Sequence, residues 1–175
     1  MQESVRKLRY KPVLGPDLKP ICLVKNVIID PATGKFLGFT TVAPIEKIVI
    51  SGEILLWQKK AVVLGQEFEL SNIDNLPRIA VIMHQKIRII GARVTTVSGQ
   101  FLGKVTDFYI DTQAKMLSAL VVKKMFLKII PHGEKIIHYQ SIVEINKNGI
   151  IVKDAFMKIP IIRDKFPTKI SKFAT

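Results

Sequence analysis

The second half of this chain repeats the first, and that repeat constrains the fold more than any other feature. Val24-Lys25-Asn26-Val27-Ile28-Ile29-Asp30 lies 81 positions before Val105-Thr106-Asp107-Phe108-Tyr109-Ile110-Asp111, and both are apolar runs ending in Asp. Pro31-Ala32-Thr33-Gly34-Lys35 follows the first run; Thr112-Gln113-Ala114-Lys115, which reads as one residue shorter, follows the second. Phe36 to Val42 then lies over Met116 to Val122. Later segments match at an offset of 88: Ile48-Val49-Ile50 over Ile136-Ile137-His138, Ile54 to Trp57 over Ile142 to Ile145, and Ala61 to Leu64 over Gly149 to Val152. The larger offset places an insertion of about seven residues between Lys123 and Lys135 of the second copy. A period of this length means one structural unit of about 70 residues made twice.

Each unit reads as all-β. Val, Ile, Phe and Tyr fill short runs separated by turn residues, the pattern of a sandwich or small barrel. Asp30-Pro31 followed by Thr33-Gly34 suits a tight hairpin, because Pro presets φ and Gly accepts a positive φ. Asn148-Gly149 between two apolar runs is a type I′ hairpin signal. Ser98-Gly99 marks another turn. The best short helical candidate is Arg78 to Gln85, a helix or strand joining the units. Asn72, Asp74, Asn75 and Pro77 cluster at the boundary before it. The expected organisation is a basic segment at 1–11, a first barrel at 12–76, a linker at 77–85, a second barrel at 86–155 and a basic-apolar tail at 156–175. Closure into barrels removes the exposed edges that strands so rich in Val and Ile otherwise present.

Charge is unevenly placed. Against 27 Lys and Arg there are 14 Asp and Glu, a net of +13. Residues 12–80 are neutral, with seven basic and seven acidic side chains, whereas 81–154 hold eleven basic and five acidic ones. Residues 1–11 contribute +3 and 155–175 contribute +4. The positive field belongs to the second half and the termini, and such a field attracts polyanions or acidic surfaces. Lys86, Arg88, Arg93, Lys123, Lys124 and Lys128 are the candidate anion- or partner-binding patch. If 86–90 is a strand, Lys86 and Arg88 share a face, and Lys123, Lys124 and Lys128 lie in or beside the inserted loop. The competing reading is a solvated lysine rim. The tail alternates Phe156, Ile159, Ile162 and Phe166 with Lys158, Arg163, Lys165 and Lys169, which suits a membrane surface.

Catalytic and cofactor chemistry is not expected. The apolar fraction of 48% excludes a disordered chain. The single cysteine, Cys22, excludes a disulfide framework and a Cys-based zinc site, and its apolar setting suits a buried hydrophobe better than a nucleophile. His132, Glu134 and His138 offer three donors in principle, but a loop histidine, a loop acid and a strand histidine explain them as well; His84 stands apart. Asp30 and Asp111 occupy equivalent places before turns, where a carboxylate accepts backbone N–H bonds, and Asn26 and Asp107 suit a similar role. Gly34, Gly103 and Gly149 read as backbone necessities. Trp57 reads as core. No uncharged run reaches the roughly 18–20 residues of a membrane span, no secretory leader is visible, and a reducing cytoplasm is the expected location.

Gly99-Gln100-Phe101-Leu102-Gly103-Lys104-Val105-Thr106-Asp107-Phe108-Tyr109-Ile110-Asp111, followed by Leu117 to Val122, resembles the PRC-barrel domain. So do Val24 to Val42 and the closing Ile142 to Ile145 and Gly149 to Asp154. The resemblance covers about residues 14–155 and is carried by the combination. The first copy departs from it, with Pro20-Ile21-Cys22-Leu23 where the second has its Gly-rich turn. The resemblance implies an all-β fold of two tandem small barrels, used for docking. The domain occurs in the photosynthetic reaction-centre H subunit and at the C-terminus of the ribosome maturation factor RimM. The transmembrane helix of the former and the N-terminal partner domain of the latter are not recognisable here. The expected function is a non-enzymatic adaptor without cofactors, its basic second barrel facing an acidic or polyanionic partner. A ribosome-associated maturation factor binding rRNA and ribosomal protein, and a peripheral membrane scaffold, are the alternatives.

Overall fold

In a computed structural model, which describes residues 1–42, 46–126 and 130–154, the chain builds two antiparallel-rich sheets. The first contains β2 (Pro12–Leu14), β3 (Pro20–Ile29), β4 (Phe36–Val42), β5 (Ile48–Ile50), β6 (Ile54–Trp57) and β7 (Val62–Leu64), in the order β5-β4-β3-β2-β7-β6. The second contains β8 (Arg93–Thr96), β9 (Phe101–Asp111), β10 (Met116–Phe126), β11 (Ile130–His138), β12 (Ile142–Asn146) and β13 (Gly149–Val152), in the order β11-β10-β9-β8-β13-β12. The second order is the first advanced by six strands, including one parallel contact in each, β2 with β7 and β8 with β13. Neither sheet closes on itself among the described residues, so closed hydrogen-bonded barrels, as expected from the pattern, are not what the ladders form. The outer edge of β5 is instead covered by Ser71, which exchanges two backbone bonds with Ile48 at 2.9 and 3.0 Å.

Register repeats along with order. Val27 pairs with Phe39, and Phe108 with Leu120; Val49 pairs with Phe39, and Ile137 with Leu120; Trp57 pairs with Val62, and Ile145 with Ile150. The bulge that skips Lys25 recurs where Thr106 is skipped. These are the offsets of 81 and 88 read from the sequence, with one correction. Phe36 faces Ile29 and Leu117 faces Ile110, so Leu117, not Met116, takes the place of Phe36 and the second turn is not a residue short. The insertion is also not a loop alone: it lengthens the β10–β11 hairpin, pairing Lys124 with His132 and Phe126 with Ile130.

Unusual backbone positions recur too. Tyr10, Leu18 and Gly34 have φ of 64°, 61° and 68°; their equivalents Gly91, Gly99 and Lys115 have 84°, 85° and 51°. The first sheet thus makes its β2–β3 turn with Leu18 in the left-handed region where the second uses Gly99. The hairpin before Gly149 is not type I′, since neither Lys147 nor Asn148 has positive φ. The Asn146 side chain accepts the N–H groups of Asn148 and Gly149 instead, at 2.8 and 3.2 Å.

The two sheets meet around an approximate two-fold axis. Lys35 bridges its own equivalent, Met116. On either side the Phe36 N–H donates to the Lys115 carbonyl at 2.9 Å, and the Leu117 N–H to the Gly34 carbonyl at 2.7 Å. Val24, Phe39 and Val49 of the first sheet and Val105, Leu120 and Ile137 of the second join one buried cluster. Trp57 is half-buried, packed edge-on against Phe36 with centroids 5.7 Å apart. A smaller cluster, Ile28, Ile48 and Ile79, lies under α2 (Pro77–His84), the segment expected as helix or strand. Pro77 at the first position of α2 removes one of the N–H groups a helix start leaves unpaired, and Lys86, at φ 55°, turns the chain out of the helix.

The N-terminal residues form part of the second sheet. β1 (Gln2–Ser4) pairs antiparallel with β9, Gln2 opposite Asp111 and Ser4 opposite Tyr109. α1 (Val5–Leu8) follows, with the Asp107 carboxylate accepting the Ser4 hydroxyl and the Arg6 N–H. Lys11, with a side chain only 5% exposed, sits 3.3 Å from Glu3 and 3.2 Å from the Gln58 carbonyl, tying β1 to the first sheet.

Breaking a buried ion pair strands the remaining charge, a loss of about 3 kcal/mol or more. Lys11→Met is expected to lower stability by about that amount in denaturant titration, and Glu3→Gln/Lys11→Met to recover most of it. Leu18 is 62% exposed, so it loses little packing on truncation. Leu18→Gly should therefore gain about 0.5–1 kcal/mol by relieving the left-handed strain. Gly34→Ala should lose about 2 kcal/mol or more, since a Cβ there would meet the Tyr139 ring at 2.5 Å.

Candidate functional site

Strand pairing builds a basic row across the second sheet. Arg93 of β8 stands opposite Lys104 of β9, and Lys104 opposite Lys123 of β10. Directly paired residues share a face about 5 Å apart, so three cations line up across three strands. Glu134 of β11 is opposite Lys123 and pairs with it at 2.9 Å, ending the row. Arg93 and Lys104 are exposed and have no acidic partner among the described residues. The Arg93 guanidinium lies 4.3 Å from the Phe101 ring centroid, a cation–π contact that restrains it. Neighbouring like charges repel, and an anion laid along the row relieves that repulsion. The equivalent row on the first sheet is Pro12, Leu23 and Val42. Leu23 and Val42 are 37% and 40% exposed, so matched register positions carry a cationic row on one sheet and an apolar row on the other.

Of the basic residues singled out from sequence, the structure joins Arg93 to Lys123, through Lys104. Lys104 escaped sequence reading because only the cross-strand register gives it its neighbours. Lys86 and Arg88 are not on a shared strand face: residues 86–92 precede β8 and form no strand. The positive φ of Lys86 ends the alternation there. Arg88 instead lines a cleft of about 760 Å³ together with Arg6, Arg9 and Lys25. Lys123 and Lys124 lie within β10, and a register shift between them takes Lys124 off the row. Lys128 and the tail lie outside the described residues.

Both turn acids accept backbone N–H groups. The Asp30 carboxylate accepts the Ala32 N–H at 3.0 Å and pairs with Arg78 at 3.4 Å. Burial pushes its carboxyl up, but the bonds from Thr33, Ala32 and Arg78 outweigh that and hold it below the ordinary carboxylate value. Asp111 accepts the N–H groups of Ala114 and Gln113 at 3.0 and 2.8 Å, which lower its carboxyl as well. Burial pushes the Cys22 thiol up to about 11, the opposite of what an activated nucleophile needs. Glu134 is taken by Lys123, His138 is exposed at the end of β11 and His84 exposed at the end of α2; the His132 side chain lies outside the described residues. Among the described residues, no three His, Cys, Asp or Glu side chains come together to hold a metal ion, and no helix is long and apolar enough to cross a membrane.

Residues 87–155, which span β8 to β13, match the PRC-barrel domain family. The matched stretch contains the basic row, while the first sheet lies outside it. No curated protein matches the chain.

Because the Asp30 and Asp111 carboxyls are lowered on folding, their stabilisation is complete above the unfolded carboxylate range, near pH 4. It is lost as pH falls through the lower folded values. Denaturation midpoints measured from pH 6 to pH 2 are expected to show this loss below pH 4. Asp30→Asn should lower stability at neutral pH and flatten that acid limb.

Proposed function

We propose that the protein is a non-enzymatic docking module in which two tandem PRC-type units share one architecture and present different surfaces. The observation that carries this reading is the contrast between the Arg93–Lys104–Lys123 row and the Pro12–Leu23–Val42 row at equivalent register positions. Repeated strand order, register and left-handed residues support a duplicated unit. A duplicated backbone whose outward residues diverge is suited to gripping two partners or two faces of one. The basic row is the contact for an acidic protein surface. Among the described residues it has three cations in line, two of them without an acidic partner, and few exposed aromatics to stack bases, which favours a protein over single-stranded RNA. Attraction of this kind is long-ranged and screened by salt.

The test is fluorescence anisotropy of the full chain with labelled polyglutamate from low to physiological salt. Binding that weakens with salt, and at least tenfold with Arg93→Glu/Lys104→Glu/Lys123→Glu, is expected. Tighter binding of a labelled RNA at the same salt would favour the ribosome-associated reading, and flotation with anionic liposomes the membrane-peripheral one. Polyglutamate binding insensitive to the triple reversal would remove the row from the reading.

A further inference from the structure

The approximate two-fold axis exposes an inequality. In the second sheet, β1 pairs with the far half of β9, Glu3 standing opposite Ile110. In the first sheet, no described strand pairs with the equivalent stretch of β3, Ile28 to Asp30. Asp30 spends its N–H on the Lys35 carbonyl and its carbonyl on the Gly34 N–H, both on the β4 side. Strand alternation therefore turns the N–H and C=O of Ile29, and of Val27 two residues earlier, to the open edge. An unpaired edge beside a groove is a template for another strand.

That edge borders the cleft of about 760 Å³. Val27, Ile29, Ile82, Ile87 and Phe108 give it apolar walls, and Arg6, Arg9, Lys25 and Arg88 surround them. Glu46 is the one acid among the described lining residues, and it is paired with Lys25 at 3.2 Å. The remaining cations, Arg6, Arg9 and Arg88, are exposed. Pro31 occupies the place of Thr112, whose N–H donates to Met1 in the second sheet at 2.9 Å. A strand added to β3 thus pairs no farther than Asp30, because Pro31 has no N–H to give.

We propose that this groove takes an extended acidic segment of a protein partner, which adds to the free edge of β3 as a short antiparallel strand, as β1 adds to β9. The proposal rests on the docking reading but uses a site separate from the basic row. Backbone bonds to Ile29 and Val27 supply the rungs, alternate apolar side chains enter the cleft, and acidic ones face the exposed Arg6, Arg9 and Arg88.

The probe is a labelled peptide of alternating Asp and Val, about six residues long, the usual length of a strand. It is titrated into the full chain while amide exchange is followed residue by residue. Protection of the Val27 and Ile29 amides on binding is expected, with at least tenfold weaker affinity for a peptide N-methylated at alternate positions and for Arg6→Glu/Arg88→Glu. Both arginines are exposed, so the variant retains the fold. Equal binding by the N-methylated peptide, or unchanged Val27 and Ile29 amides, overturns the proposal. Two further outcomes also overturn it. Protection that grows with protein concentration makes a second copy the occupant, and protection lost on removing residues 155–175 makes the chain's own tail the occupant. Polyglutamate binding that depends on the basic row, without protection at β3, leaves the docking reading standing and removes the groove alone.

Discussion

The structure depends on two backbone hydrogen bonds related by the approximate two-fold axis, Phe36 to Lys115 and Leu117 to Gly34, around the Lys35–Met116 bridge. Each is ordinary in strength, near 1 kcal/mol net. Their consequence is geometric. They bring the starts of β4 and β10 together, and these strands carry Phe39 and Leu120 into a common core. Gly34 serves this junction twice: its carbonyl accepts from Leu117, and its missing side chain leaves room for the Tyr139 ring. An intramolecular interface of this form obeys the self-complementary rule of a symmetric dimer, with one covalent chain in place of two.

Much of the architecture was legible because apolar periodicity governs register. Sliding a strand by one residue would turn its whole apolar set to solvent, so the offsets of 81 and 88 in the sequence became the ladders themselves. What stayed hidden depended on context. β1 and α1 are three and four residues long, too short to carry a period, and exist because β9 and Asp107 hold them. Leu18 and Tyr10 adopt left-handed backbone without glycine, so their own residue types do not announce it. The Asn148-Gly149 pair misled because the side chain of Asn146 offered a competing set of bonds. Lys86 and Arg88 share no strand face because a positive φ interrupts what looks like alternation.

The candidate site shows the same division. The charge excess of the second half is compositional and was visible at once. Its arrangement was not, since Arg93, Lys104 and Lys123 are eleven and nineteen residues apart in sequence and become neighbours only through pairing. The cross-strand register of this row is the same as that of Pro12, Leu23 and Val42. The difference between the halves lies in side chains projecting from matched scaffolds, which is how a fold can be retained while its surface is re-specified.

The pairing of β1 with β9 also sets an order of events. A chain emerging from its N-terminus can complete every strand of the first sheet before Asp111 exists. Gln2 to Ser4 must then wait, unpaired, for a partner more than a hundred residues away. Closing so long a loop is entropically slow, so residues made before the first sheet are among the last to find their place. Until they do, Glu3 and Lys11 remain in water, and the ion pair that staples the two halves forms only as the final stitch.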